Sequence, residues 1–374
     1  MEFGVNFFPV IDPAEKTATA YYDETLRLIE LAESLGFTQA QTVEHYFSGY
    51  GGYCPDPITL LTAAAARTTR IRLATGACVP AFTHPVKLAG KLAMLDHLSH
   101  GRLDVGFGRA FLPTEFEAFG VSMDESRARF AEGVEAIRRL WTEENLVWEG
   151  SFHRFGPVTM LPRPYQDPHP PIYIASASSA ESCAAAGTAG HHLQVVPSVT
   201  SAEQLAAMLV HYRRAWDAAG HDPAARRIQI KFTCYVDADR ETAYQQGEFY
   251  ERNYVDHMAK AVAPLAEKGS ADYPGYEKFL EKARNYDFRA ALGANKVLAG
   301  NPSDVLAQIE TVREQFGTDL SFSLQFNPGA MEYGRAAAAM ELFAAEVMPA
   351  FQDDAPQDGT GAEIRCRAAL AVPA

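Results

Sequence analysis

Short apolar runs of strand length alternate along this chain with longer runs whose apolar residues recur every three or four positions. That is the pattern of a parallel sheet whose strands are joined by crossover helices. The spacing predicts strands over Glu2–Pro9, Gln39–Glu44, Ile71–Val79, Leu103–Phe107, Pro171–Ala175, His192–Val196, Gln229–Val236 and Leu320–Phe326. Helices are predicted over Tyr21–Leu35, Pro57–Arg67, Pro85–Leu98, Met123–Leu140, Ser179–Ala189, Ser201–Ala219, Arg240–Met258 and Tyr333–Val347. The first of these carries Leu26, Ile29, Leu31 and Leu35 and stops at Gly36, a C-terminal signal. Another opens on Pro85, and the one from Met123 has Asp124 and Glu125 at its positive end.

Eight strands, each followed by helical sequence, fit a (β/α)8 TIM barrel spanning residues 1–350 as one domain. The count by itself leaves an open, doubly wound sheet as the alternative. Two stretches break the rhythm. Val147–His153 reads as a small hairpin ahead of the Pro-rich segment Leu161–Pro171. Ala259–Gly300 contains four glycines and Pro264 and Pro274, and a connection of that length is expected to be a mobile segment. The polar tail, residues 351–374, is expected to fray.

Composition narrows the function by exclusion. Of 374 residues 47% are apolar, enough for a large core, which excludes global disorder. The net charge is -14 with no run of Lys or Arg, so neither nucleic acid nor an anionic membrane is expected as main partner. No stretch approaches the roughly 20 apolar residues that span a bilayer, and Met1–Phe8 reads as a strand, not a secretory leader. Cys54, Cys78, Cys183, Cys234 and Cys366 are scattered without a Cys-x-x-Cys pair. A disulfide framework or structural zinc is therefore not expected, and a reducing, cytoplasmic setting is.

Active residues of a barrel belong at the C-terminal ends of its strands, and four such ends are informative. The second gives Glu44-His45-Tyr46-Phe47, where a carboxylate, an imidazole and two aromatics suit a flat conjugated cofactor and proton movement; a purely structural pair is the alternative. The third gives Thr75-Gly76-Ala77-Cys78, small enough for a planar ring to approach the backbone or simply for tight packing. The fourth gives Gly106-Phe107-Gly108-Arg109. Its third glycine is missing for a dinucleotide fingerprint, and Arg109 is either a phosphate ligand or a surface ion-pair partner. The fifth leads through Ala175-Ser176-Ala177-Ser178-Ser179 into a helix, which makes either an anion site or an ordinary serine cap.

These fragments, in this order, resemble the bacterial luciferase family of flavin monooxygenases. The likeness extends to Thr83-His84-Pro85-Val86, Leu95-Asp96-His97-Leu98-Ser99-His100-Gly101-Arg102, Phe119-Gly120, Asp124-Glu125-Ser126-Arg127 and Val347-Met348-Pro349, and covers residues 1–350. It implies the barrel over the open sheet. It also implies that His45 sits beside the reacting edge of the flavin, with Glu44 next to it. Ala77 would lie against the ring through a cis peptide, and Gly108 and Ala175 would share that site. Arg109 and Ser176, with Arg127 and Ser179 less directly, would hold the cofactor phosphate. In luciferase a cysteine stands at Gly108, a glutamate at Ala175 and a second histidine at Tyr46, so this chain reads as a relative and not as a light emitter.

The resemblance further implies reduced FMN as co-substrate, supplied by a separate NAD(P)H:flavin reductase. With O2 it would oxidise a small-molecule or carrier-bound substrate through a peroxyflavin kept dry by the protein. A homodimer through the helices after the second and third strands is implied as well, and Ala259–Gly300 takes the place of a lid. Phe7, Phe8, Phe47, Phe107 and Phe111 are candidate lining residues. Two other readings compete: a deazaflavin-dependent oxidoreductase working by hydride transfer, and a non-catalytic flavin-binding subunit.

Overall fold

The fold is given by a computed structural model that describes residues 1–266, Tyr273 and residues 279–354. The chain begins with β1 (Phe3–Phe7), α1 (Ala18–Leu35), β2 (Gln39–Thr42), α2 (Pro57–Ala65), β3 (Arg72–Thr75), α3 (Pro85–Leu98) and β4 (Leu103–Phe107). Two helices follow, α4 (Pro113–Phe119) and α5 (Ser126–Thr142), then an antiparallel hairpin of β5 (Leu146–Glu149) and β6 (Arg154–Val158). Alternation resumes with β7 (Ile172–Ser176), α6 (Ala180–Thr188), β8 (His192–Val195), α7 (Ala202–Ala218) and β9 (Ile228–Val236). The last part holds α8 (Arg240–Val262), α9 (Phe279–Arg284), α10 (Phe288–Gly293), β10 (Leu298–Gly300), α11 (Pro302–Phe316), β11 (Leu320–Gln325) and α12 (Tyr333–Glu346).

Strands β1, β2, β3, β4, β7, β8, β9 and β11 pair in that order, all parallel, and β11 returns to β1. These eight strands close into a barrel, and the short β10 pairs beside the end of β9. Register is continuous around it: Val5 faces Leu324 on one side and Ala40 on the other, and Ala40 faces Leu73. Helices are fixed at their starts by capping side chains. Thr17 accepts the Ala20 amide, and Asp56 accepts the amides of Ile58 and Thr59 with Pro57 at the first helical position. Gly36 closes α1 at φ 90°, a left-handed conformation that suits glycine.

The apolar core lies between strands and helices, where Leu28, Ile29 and Ala32 of α1, Leu88 and Leu92 of α3 and Phe343 of α12 are buried. The barrel interior is polar instead. Gln41 donates to Gln229 at 2.9 Å, Gln229 donates to Gln39, Gln39 donates to Asp104 at 2.7 Å, and Arg72 forks onto Asp104. This chain of donors and acceptors satisfies groups that would be costly if buried unpaired.

Three expectations need adjustment. The third strand stops at Thr75 instead of Val79, and the next peptide, Gly76–Ala77, is cis. A helix absent from the sequence reading, α11, precedes the last barrel strand; Asn301 and Asp304 form a capping box, Pro302 opens it, and Val305, Ile309, Val312 and Phe316 are its buried stripe. The stretch Ala259–Gly300 holds the end of α8, a 3-10 turn over Ala263–Ala266, α9, α10 and β10; its residues 267–272 and 274–278 lie outside the described residues. The expected flexible tail also lies outside them from residue 355 on.

Candidate active site

A cavity of about 250 Å³ opens at the C-terminal rim of the barrel, where barrel folds carry their chemistry. Its floor is built from three strand ends, at Ala77 after β3, Gly108 after β4 and Ala175 in β7. A Cβ placed on Gly108 would meet the Cβ of Ala77 at 3.1 Å and that of Ala175 at 3.6 Å. Nothing larger than a methyl group therefore projects at this junction, and a planar ring can lie against it.

His45 and Glu44 stand in the wall. Nδ1 of His45 is 3.0 Å from Oε1 of Glu115, and the same oxygen accepts the Tyr46 amide at 2.9 Å. Glu115 is 1% exposed. With Nδ1 donating to this buried carboxylate, Nε2 is left as the proton-accepting nitrogen of a side chain that lines the cavity. The rings of Phe8, Tyr50 and Phe111 surround the imidazole at centroid distances of 5.3, 5.6 and 5.9 Å. Glu44 accepts the Tyr46 hydroxyl at 2.7 Å and the Val79 amide at 3.0 Å. Burial nevertheless pushes its carboxyl up to about 7, the two hydrogen bonds opposing.

Arg109 lines the cavity with its guanidinium 4.8 Å from the ring centre of Tyr273. Ser176 is buried and donates to the Ser179 carbonyl at 3.4 Å, while the Ser179 hydroxyl caps α6 by accepting the Ser182 amide at 3.1 Å. Their neighbours Ala175 and Ala177 are in the cavity wall; the two serines are not. Arg127 is exposed on α5 and outside the wall, so the described geometry does not place it at a phosphate shared with Arg109. Of the candidate phenylalanines, Phe8 and Phe111 line the cavity, Phe7 and Phe107 are core, and Phe47 is 68% exposed.

Three residues of the site escaped the sequence reading. Glu115 lies in α4, a short helix the periodicity did not reveal. Lys231 sits in the middle of β9, where a lone lysine in an otherwise apolar and amide-bearing strand was the available signal. Its Nζ donates to the Gly76 carbonyl at 3.1 Å, and burial pushes it down to about 7. Glu251 on α8 is 7% exposed, accepts the hydroxyls of Tyr235 at 3.0 Å and Tyr286 at 3.3 Å, and is raised by burial. Among the described residues no cluster of His, Cys, Asp and Glu is arranged to hold a metal ion. No helix among them is long and apolar enough to cross a membrane.

A closed parallel barrel with a flat-floored cavity at its active rim, lined by acid–base groups, is a frame that can hold a planar ring. Residues 1–319 match the luciferase-like monooxygenase family. The chain belongs to that family and is a luciferase-like oxidoreductase. It is 29% identical over 350 residues to the oxygenase component of a flavin-dependent trigonelline monooxygenase from Acinetobacter baylyi, covering 91% of this chain and 92% of the other. A shorter match, 30% identical over 175 residues, is to the FMNH2-dependent dimethylsulfone monooxygenase of Pseudomonas putida, over 46% of this chain and 48% of that one. The crystal structure of monooxygenase RslO1 from Streptomyces bottropensis superposes with a TM-score of 0.86 at 51% identity, covering 94% of this chain and all of that one.

Proposed function

We propose that the protein is the oxygenase of a two-protein system, taking reduced FMN from a separate NAD(P)H:flavin reductase and using it with O2 to oxidise a small organic or carrier-bound substrate. The observation that carries this reading is that His45, held from behind by Glu115, faces the same cavity as the bare floor of Ala77, Gly108 and Ala175. The relatives support it, one being called an oxygenase component and another FMNH2-dependent. Reduced FMN, when bound, supplies the electrons and the site of oxygen activation.

This chain's own residues do the rest. Ala77, Gly108 and Ala175 admit the ring, and Arg109 at the rim binds the phosphate through its fork of donors. Ser176 at the end of β7 and Ser179, the cap of α6, assist through that helix end. His45 holds or moves a proton at Nε2, and Glu115 keeps it in the tautomer that allows this. Phe8, Phe111 and Tyr254 line an apolar wall that excludes water from the reacting atoms. Tyr273 lies against Arg109 at the rim.

The test is to mix the protein with chemically reduced FMN in aerated buffer containing a metabolite extract and to follow consumption by mass spectrometry. The expected product gains oxygen from O2 only when reduced FMN is present. NAD(P)H oxidation by the protein and FMN alone should be negligible. Turnover of a deazaflavin by hydride transfer without oxygen uptake would replace this reading, and failure to bind either flavin would favour a non-catalytic subunit.

A homodimer through α2 and α3 accompanies this proposal. Met94 and Leu98 on α3 are 56% and 52% exposed, apolar surface that a second copy would cover. A purely monomeric species in sedimentation at micromolar concentration would defeat it. The free, buried Cys54, Cys78, Cys183 and Cys234 suit a reducing cytoplasm.

A further inference from the structure

In the barrel order, β3 and β9 are four strands apart, on opposite sides of the axis. Lys231 of β9 bridges them. Its Nζ reaches the carbonyl oxygen of Gly76 at 3.1 Å, with Oε1 of Gln194 on β8 at 3.5 Å. The ammonium therefore ends inside the barrel, at the peptide that leads into Ala77 and so at the floor of the cavity that Lys231 helps to line.

Both partners are neutral acceptors. Among the described residues no carboxylate hydrogen-bonds to Nζ, and burial alone displaces its proton affinity. The acids that share the cavity are engaged elsewhere: Glu44 with Tyr46 and Val79, and Glu251 with Tyr235 and Tyr286. An ammonium removed from water without a counter-charge is unfavourable, and such a group is stabilised by an anion brought to it. A ligand that fills this cavity can bring one.

The charge of a flavin ring depends on its redox state. At neutral pH the two-electron reduced ring carries a negative charge on its pyrimidine portion, whereas the oxidised ring is neutral. Resting on the reading of the cavity as a flavin site, we propose that Lys231 is its charge-selecting residue, whose ammonium favours the anionic reduced ring over the neutral oxidised one. The site thus fills with the form a reductase delivers and releases the spent form. An anionic group on the organic substrate is the other source of the same charge, and the experiment separates the two.

The full-length protein, Lys231→Met and Lys231→Arg are titrated anaerobically with photoreduced FMN and, separately, with oxidised FMN. Benzoate serves as a carboxylate probe. The wild type should bind the reduced form more tightly. Lys231→Met should lose about ten- to a hundredfold of reduced-FMN affinity, the span for a hydrogen bond to a charged group, while oxidised-FMN affinity stays within about threefold. Lys231→Arg should keep the preference, and the melting temperature of Lys231→Met should not fall, because an unpaired buried charge has been removed. A folded Lys231→Met with an unchanged ratio of reduced to oxidised affinity overturns the proposal. So does an equal loss of both, which would mean that the bond to Gly76 only shapes the floor. Loss of benzoate binding with the flavin ratio intact assigns the charge to the substrate and overturns it too. If the wild type binds neither form of FMN, the flavin reading itself fails and this proposal falls with it.

Discussion

Nδ1 of His45 lies 3.0 Å from Oε1 of Glu115, a contact made across 70 positions of the chain. Glu115 also accepts the amide of Tyr46, so one buried carboxylate fixes both the imidazole and the backbone beside it. An imidazole held at Nδ1 presents a defined nitrogen at Nε2, which is what proton transfer at a set position requires.

Glu115→Gln should therefore retain the fold, because the amide oxygen can still accept the Tyr46 amide. It removes the negative charge from the hydrogen bond that orients Nδ1 of His45. Substrate oxidation should fall by about tenfold or more, within the range general acid–base contributions reach, with FMN affinity changed by only a few-fold. A role limited to packing would leave turnover of the folded variant unchanged, so turnover compared at equal flavin saturation is the deciding measurement.

Arg109 and His45 should separate binding from turnover. Arg109→Ala should weaken flavin binding by about 1.5–3 kcal/mol, or roughly ten- to a hundredfold. His45→Ala should leave FMN affinity within a few-fold and lower product formed per flavin oxidised, because its work begins once the cofactor is seated. Titrating FMN into both folded variants and then quantifying product checks this. Product at wild-type yield and rate from His45→Ala would remove His45 from the catalytic role.

The alternation of strands and helices was legible because its signal is repeated: the apolar runs that became β1, β2, β4 and β7 to β9 are local and bounded by turns or caps, and the resemblance decided for a barrel over an open sheet. The helix α11 was hidden behind a long Gly- and Pro-bearing stretch, although Asn301-Pro302-Ser303-Asp304 carries a start signal. The strand-end residues Glu44, His45, Ala77, Gly108, Arg109 and Ala175 were singled out by strand ends that a barrel brings to one rim together with the resemblance to the luciferase family, and all six line one cavity. Glu115 and Lys231 were not. Their roles depend on contacts with His45 and Gly76 made across the fold, and no local spacing encodes such contacts. Arg127 shows the reverse: a motif match that the geometry leaves on an exposed helix face.

Glu44 makes stability depend on pH in a definite direction. Its carboxyl is raised from 4.5 to about 7 by burial. Between those values the folded protein keeps a proton that the unfolded chain has lost. Its contribution is thus fully present below 4.5 and is lost as pH rises through 7, on the order of 3 kcal/mol in all. Lys231, lowered from 10.5 to about 7, acts in the opposite sense and above this window. Glu44→Gln can still accept the Val79 amide at its oxygen and donate its amide to the Tyr46 hydroxyl, and it cannot titrate. Denaturant midpoints measured from about pH 5 to about pH 7 should decline less in Glu44→Gln than in the wild type, and parallel declines would contradict the assignment.

Two glycines two positions apart should fail in different ways. A Cβ on Gly106 would lie 2.1 Å from the Thr75 carbonyl oxygen and 2.8 Å from the Gln194 amide, inside the barrel wall. Backbone cannot yield there, so Gly106→Ala should destabilise the fold by about 1–3 kcal/mol or more. On Gly108 the nearest contact is the Ala77 methyl at 3.1 Å, at the floor of an open cavity. Gly108→Val should therefore fold with a stability within about 1.5 kcal/mol of the wild type, while its side chain occupies the surface on which a ring would rest. FMN affinity should drop by at least about tenfold, a loss of about 1.4 kcal/mol. Thermal melts paired with FMN titrations separate the two effects. A Gly108→Val protein that binds FMN as the wild type does would mean that the ring does not lie on the floor of Ala77, Gly108 and Ala175, and the placement of the cofactor in this cavity would have to be abandoned.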